Sequence, residues 1–367
     1  MCILPHPKIT LCSPQLIARP RAVLMWRRFH WAPADPGGAG AWVRDTRPAL
    51  EQPRLEGGFD GGVFGSNTPN VVALPNRGFR MYFTLIGPTA DNPDGANDYT
   101  TATSSICSAC SADGEAWSLE EGERLSPHEG AELRVVSPEV IPLDERGHRF
   151  RMYYEGTAGA GDEARKDSGI RSAISEDGGV SFTPEPGWRL QNPGDGSVNS
   201  PRVLALRDGA GHRMYASYNG LTGAGIISAV SSDGGLSFTI EEGVRIAKTG
   251  PLEALSVFAP EVLLVGEGAS AFYRMYYVGV PAPESAYIMT ATSTDGIRWD
   301  KNETPVVSPG GEWDKVKSSE MCVMELPEGK GFRMLYEGCD GSAAGLRGIW
   351  RIASVSSPPP SGSQPRM

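Results

Sequence analysis

Six carboxylic acids stand where the chain could bring them together. Glu139 follows Ser137-Pro138 in SPEVIPL, Glu261 follows Ala259-Pro260 in APEVLLV, and Glu320 is the second residue of SEMCVMEL. Asp60 lies in GGFDGG ahead of a further run, TPNVVAL, while Glu155 and Glu337 close the aromatic stretches FRMYYEG and FRMLYEG. Two carboxyl groups facing each other across a cavity can break an acetal: the protonated one assists the leaving oxygen, and the ionised one activates water or attacks the sugar carbon. On this reading Asp60, Glu139 and Glu261 are the catalytic candidates. Asn67, Arg134, Glu155, Arg202, Asn219, Glu320 and Glu337 would surround the substrate.

Other chemistries are poorly provided for. The histidines, His6, His30, His128, His148 and His212, are scattered and form no metal-ligand cluster, so neither a metal nor a cofactor is expected. Cys107 and Cys110 form a CxxC inside a strand-like segment, where residues three apart face opposite sides, and are read as core or surface thiols. Six cysteines at irregular spacings do not make a disulfide scaffold, which favours a reducing, cytoplasmic compartment. A formal net charge of −10 argues against nucleic acid as a partner. No apolar run approaches the ~18 residues that cross a bilayer, so no membrane partner is expected. The expected partner is a small-molecule carbohydrate, and the oligomeric state stays open.

The elements that must position these acids repeat along the chain. Arg-Met recurs at Arg80, Arg151, Arg213, Arg274 and Arg333, at intervals of 71, 62, 61 and 59 residues. Each copy is preceded by an apolar run such as TPNVVAL, SPEVIPL, SPRVLAL or APEVLLV. Four copies are followed by a third strand-like segment that leads to Asp-Gly and an aromatic residue, Trp117, Phe182, Phe238 or Trp299. With Gly (46) and Pro (30) making up about a fifth of the 367 residues, the chain reads as short strands joined by turns. A four-stranded antiparallel unit of this size cannot cover both of its faces, so the units stack radially. The expected fold is all-β, a five-bladed β-propeller of four-stranded antiparallel blades over residues 25–357. The last unit lacks a fourth strand, which the N-terminal FHWAPADPGGAGAWVRD would supply. Residues 1–24 read as a flexible extension and 358–367 as a Pro/Ser tail. In such blades the starts of the first strands and the ends of the second share one mouth, and the Asp-Gly turns occupy the other.

These strings, MYYxG followed by a strand ending in SxDG before an aromatic, resemble the five-bladed propeller glycosidases of the arabinanase and xylosidase family (glycoside hydrolase family 43) and its invertase and mannoside phosphorylase relatives. The resemblance covers Trp26 to Ser357. It implies a base Asp in the first blade, an orienting Asp in the next and an acid Glu later, which here would make Asp60 the base or nucleophile and Glu139 a modulator, with Glu261 or Glu320 to supply the acid and Glu261 the first choice. Here Asp60 is the first-blade candidate, but Thr68-Pro69 stands where Asp-Pro is typical, Ser137 replaces the second Asp, and Arg202 occupies the third blade. A propeller that binds sugars without cleaving them is therefore the second reading. SEDGGVSF and SSDGGLSF also match the sialidase Asp-box, in which Asp177 and Asp233 are turn-forming residues, and Arg134 and Arg202 could contribute to an arginine triad. The expected blade count ranks that reading lower. The recurrent Arg of Arg-Met reads as structural, and Asp91, Asp94, Asp98 and Tyr99 are peripheral candidates in a long loop.

Overall fold

The computed structural model describes residues 30–50, 65–75, 78–87, 103–127, 134–157, 168–191, 196–207, 209–220, 223–342 and 350–357. The expected extension at 1–24, the tail at 358–367, Asp60, His128 and Asp91 to Tyr99 lie outside them. The described residues are almost entirely β, with three single-turn 3-10 helices. None of their helices is long and apolar enough to cross a membrane.

The strands follow the Arg-Met repeat. Two short N-terminal strands, β1 (Trp31–Ala32) and β2 (Val43–Arg44), precede unit one, β3 (Gly65–Leu74), β4 (Gly78–Gly87), β5 (Thr103–Ser111) and β6 (Ser118–Leu119). Unit two holds β7 (Arg134–Pro142), β8 (Phe150–Thr157), β9 (Ser168–Ser175), β10 (Thr183–Pro184) and β11 (Leu190–Gln191). Unit three holds β12 (Ser197–Ala205), β13 (His212–Gly220), β14 (Gly223–Ser231), β15 (Thr239–Ile240) and β16 (Ile246–Ala247). Unit four holds β17 (Ser256–Val265), β18 (Phe272–Ala282), β19 (Ser285–Ser293) and β20 (Asp300–Val307). Unit five holds β21 (Lys317–Glu325), β22 (Phe332–Cys339) and β23 (Trp350–Ser357). Within every unit consecutive long strands pair antiparallel, and β2 pairs antiparallel with β23 through Val43 and Ser356.

Alternation along the second strands explains why the units stack. In β4, Met81 and Phe83 pack with Met324, Leu326, Leu335 and Ile352 of unit five, while Tyr82 packs with Val140, Phe150 and Phe182 of unit two. Similar apolar clusters join units two and three, three and four, and four and five, the last including Ala32 and Trp42. Both faces of each sheet are thus covered by its neighbours.

In units one to three the recurrent Arg and Tyr clamp the unit to the Asp-Gly turn of the next. Arg80 pairs with Glu120 at 2.7 Å and donates to the Gly178 carbonyl at 2.6 Å, and Tyr82 donates to the Gly179 carbonyl at 2.9 Å. Arg151 and Tyr153 do the same to Gly234 and Gly235, and Tyr215 does so to Gly296. Asp177 and Asp233 accept backbone N–H groups within these turns, so both residues hold a turn together. For unit four the N-terminal segment takes the part of the turn. Asp35 pairs with Arg274, Gly37 accepts from Tyr276 at 2.8 Å, and Trp42 meets Tyr276 edge-on at 6.0 Å, as Phe182 meets Tyr82 at 5.7 Å.

Candidate functional site

The first strands of units one to four share a local irregularity that aims one side chain out of each. Thr68, Ser137, Ser200 and Ala259 have φ of 53°, 54°, 50° and 50°, and the ladder register shifts across each of them. Such bulges bend a strand and redirect the residues that follow. The redirected residues are Asn70, Glu139, Arg202 and Glu261. Their partners in the second strands are Tyr82, Tyr153, Tyr215 and Tyr276, and the matching pair in unit five is Cys322 with Leu335.

These five side chains bind one another's strands in succession. Val140 N donates to Asn70 Oδ1 at 3.0 Å, Val203 N to Glu139 Oε1 at 3.0 Å, Arg202 Nε to Glu261 Oε2 at 2.8 Å, and Val323 N to Glu261 Oε1 at 3.0 Å. The last link returns to the start, with Val71 N donating to Cys322 Sγ at 3.3 Å. Glu139 also accepts from Asn70 Nδ2 at 2.7 Å and from His30 Nε2 at 2.6 Å. Both Glu139 and Glu261 are 0% exposed. Burial pushes the Glu139 carboxyl up, but His30, Arg202 and the Val203 N–H outweigh it and hold its pKa below the usual value. Burial opposes the charged form of His30 in turn, and Glu139 with Glu261 reverses that, so its pKa is raised. Glu139 is an ionised, saturated acceptor, and Glu261 has its oxygens tied to Arg202 and a backbone N–H. Nothing in their spacing announced His30 as the partner, because it arrives from a stretch 109 residues away.

A second set of acids stands one step nearer the strand starts. The register puts Glu320 in the bulge between Ser319 and Met321, a position corresponding to Thr68 and Ser137 rather than to Glu139. Glu337 pairs in register with Ser319 and accepts from Ser319 Oγ at 2.7 Å and from Thr68 N at 3.2 Å. Ser137 Oγ approaches Glu320 Oε2 at 3.5 Å. Glu320 is half-buried and Glu337 buried. Burial and the charge of Glu337, with a smaller push from Glu155, raise the Glu320 pKa well above the usual carboxyl range. Burial also raises that of Glu337, which its hydrogen bonds and the charge of Lys317 partly counter.

Of the remaining sequence candidates, Glu155 is brought within electrostatic reach of Glu320, and Asn67 hydrogen-bonds Glu337. Arg134 is buried at the first residue of β7, and Asn219 is exposed at the end of β13. Arg202 is consumed by Glu261 and by the Met321 carbonyl at 3.1 Å. Among the described residues no group of three or more His, Cys, Asp or Glu side chains is arranged to hold a metal, and no disulfide joins Cys107, Cys110, Cys322 and Cys339. An open concavity of about 670 Å³ lined by Phe272, Arg274, Asp295 and Asp300 lies at the Asp-Gly turn of unit four, away from these acids.

No protein-family model and no curated protein matches the sequence. Solved structures do match in shape. A glycoside hydrolase superposes with a TM-score of 0.67 at 16% identity, covering 89% of this chain and 96% of its own. A β-1,2-mannobiose phosphorylase from Listeria innocua gives 0.65 at 14% identity, covering 86% and 96%. A thermostable family-43 glycoside hydrolase gives 0.60 at 16% identity, covering 86% and 100%. The fold is that of the propeller-type glycoside hydrolases. In this propeller-type frame the Glu320–Glu337 group lies at the end where first strands start and second strands finish.

Proposed function

We propose that the protein cleaves a glycosidic bond in a small glycoside or oligosaccharide. In this reading the five units are the blades of a five-bladed propeller, closed by the N-terminal segment, and the reaction takes place at the strand-start mouth. The observation that carries the proposal is the pair Glu320 and Glu337, two mutually repelling carboxyls within a carbohydrate-processing fold, each holding its proton more tightly than an ordinary glutamate.

The surroundings of the two acids divide their roles. Glu337 has Ser319 Oγ, Thr68 N–H, Asn67 and the charge of Lys317 on its side, all favouring the carboxylate. Among the described residues Glu320 has the long contact from Ser137 and the charge of Arg202 to favour ionisation. Glu337 therefore ionises first and serves as base or nucleophile, and Glu320 keeps its proton and gives it to the leaving oxygen. Glu139 and Glu261, bound on all sides by His30, Asn70, Arg202 and backbone N–H groups, brace the axis in this scheme. The acid role moves from Glu261 to Glu320, and Asp60 remains the first-blade candidate for the base.

Turnover on a panel of glycosides with activated and unactivated leaving groups tests this. Glu320→Gln lowers kcat on unactivated substrates about 10²–10⁴-fold and much less on aryl glycosides whose leaving group needs no proton. Glu337→Gln abolishes turnover on both. If Asp60→Asn does the latter and Glu337→Gln does not, the base is Asp60. Wild-type rates in Glu320→Gln and Glu337→Gln together would remove the proposal.

A further inference from the structure

Lys317 stands apart from the other buried cations. Arg80, Arg151, Arg202, Arg213, Arg274 and Lys301 each hold a carboxylate. Arg124, Arg189 and Arg245 are bound by backbone carbonyls. Lys317 is only 6% exposed, yet among the described residues its Nζ makes no hydrogen bond and no ion pair. Its neighbour is the Trp350 ring, 5.8 Å from Nζ, and it acts on Glu337 from beyond ion-pairing distance. A lysine covered to this extent is seldom without a carboxylate partner.

A second leftover polar atom lies in the same seam between units five and one. Asn67 bonds Glu337, while its Oδ1 is buried without a partner. Lys317 and Ser319 lie on one face of β21, and Ser319 bonds Glu337. Trp350 is in register with Gly65, two residues before Asn67. Among the described residues one cationic donor and one neutral acceptor thus flank the proposed reactive carboxyl without a hydrogen-bond partner of their own.

We propose that Lys317 binds an oxyanion of the ligand, with Asn67 Oδ1 taking an adjacent hydroxyl. The oxyanion is the carboxylate of an acidic sugar or a free phosphate. This inference rests on the strand-start mouth being the carbohydrate site. An ammonium and a carboxylate or phosphate oxygen make a charge-assisted hydrogen bond, which a neutral sugar at the same place would forgo.

Calorimetric titration of the full chain with D-glucuronate, D-galacturonate, D-glucose, D-galactose and inorganic phosphate tests it without requiring turnover. The expected result is a preference of about tenfold or more for a uronate over its neutral counterpart, or for phosphate over no oxyanion. That preference disappears in Lys317→Met and survives in Lys317→Arg. Uronate binding without phosphate binding identifies the acidic sugar, and the converse identifies phosphate. The inference is overturned if wild-type protein binds neutral sugars as tightly as uronates and takes no phosphate, or if Lys317→Met keeps the preference. Should Lys317→Met fail to fold, the wild-type comparison and weakened uronate or phosphate binding in Asn67→Ala still decide. Unchanged turnover in Glu320→Gln and Glu337→Gln alongside an intact oxyanion preference would defeat the hydrolytic reading alone.

Discussion

At the scale of single residues, charge has been separated into two layers with opposite protonation. Glu139 is held ionised against His30 and Arg202, while Glu320 and Glu337 are held towards their neutral forms by burial and mutual repulsion. The two layers respond to pH differently. The raised His30 pKa contributes its full stability below the unfolded histidine value of ~6.5 and loses it as pH rises through the folded value. The depressed Glu139 pKa contributes above the unfolded value of ~4.3 and is lost as pH falls through the folded one. His30→Ala should therefore lower Tm most near pH 5.5–6 and least near pH 9, as read by thermal melts across pH. An equal drop at every pH would mean that His30 acts through packing alone. Glu320 has the raised sign, so its neutral form stabilises the fold until pH climbs through its folded pKa. Glu320→Gln, which stays neutral, should flatten the fall of Tm that begins as pH rises above the unfolded carboxyl value of ~4.3.

At the scale of elements, the Asp-Gly turns are fastening points. A Cβ on Gly179 would come within 2.1 Å of Tyr82 Oη, and its φ of 81° is one that other residues seldom adopt. Gly179→Ala should cost about 1–3 kcal/mol, from backbone strain and the displaced tyrosine. Tyr153→Phe removes the donor that serves the Gly235 carbonyl and should cost about 1–3 kcal/mol through the unpaired acceptor. Urea melts of both variants measure these losses, and a change under about 0.5 kcal/mol in both would mean that the clamps do not hold the units together. The recurrence of Arg-Met made these clamps legible in sequence, since a residue repeated at one strand position in every unit serves the architecture. The partners of the clamps were less so, because each is a carbonyl on the next unit's turn.

At the scale of the whole molecule, the first and last described segments meet. The N-terminal segment supplies Asp35 to Arg274, Gly37 to Tyr276, Asp45 to Arg333, and a strand to β23. Deleting residues 1–44 would strip the Arg274 and Tyr276 clamps and uncover the edge of β23. The expected outcome is loss of cooperative melting or association of the truncated chain, visible by calorimetry and light scattering. A monomeric, wild-type-like melt would show that the segment is an accessory. The junction of units five and one is built differently from the rest. Leu335 stands where the others have Tyr, so at its Asp-Gly turn this seam has, in place of the tyrosine clamp, apolar packing around Met324 and Leu326 beside a contact from Arg333 to the Gly114 carbonyl at 3.4 Å.

The spacing of Arg-Met, the Asp-Gly turns and the tryptophan-bearing N-terminus specified an all-β chain of repeated antiparallel units, because those patterns are local and each unit must bury the same faces. The same patterns brought attention to Glu320 and Glu337 without ranking them. Glu320 stands in the layer above Glu139 because it occupies the bulge position of Ser137, two residues before the place that Glu139 fills in unit two and Cys322 fills in unit five, a correspondence that only the strand pairing fixes. His30, Cys322 and Lys317 carry no local signature at all. Their roles exist only because strands far apart in sequence converge, and long-range contact alone determines which buried charge finds a partner and which is left over.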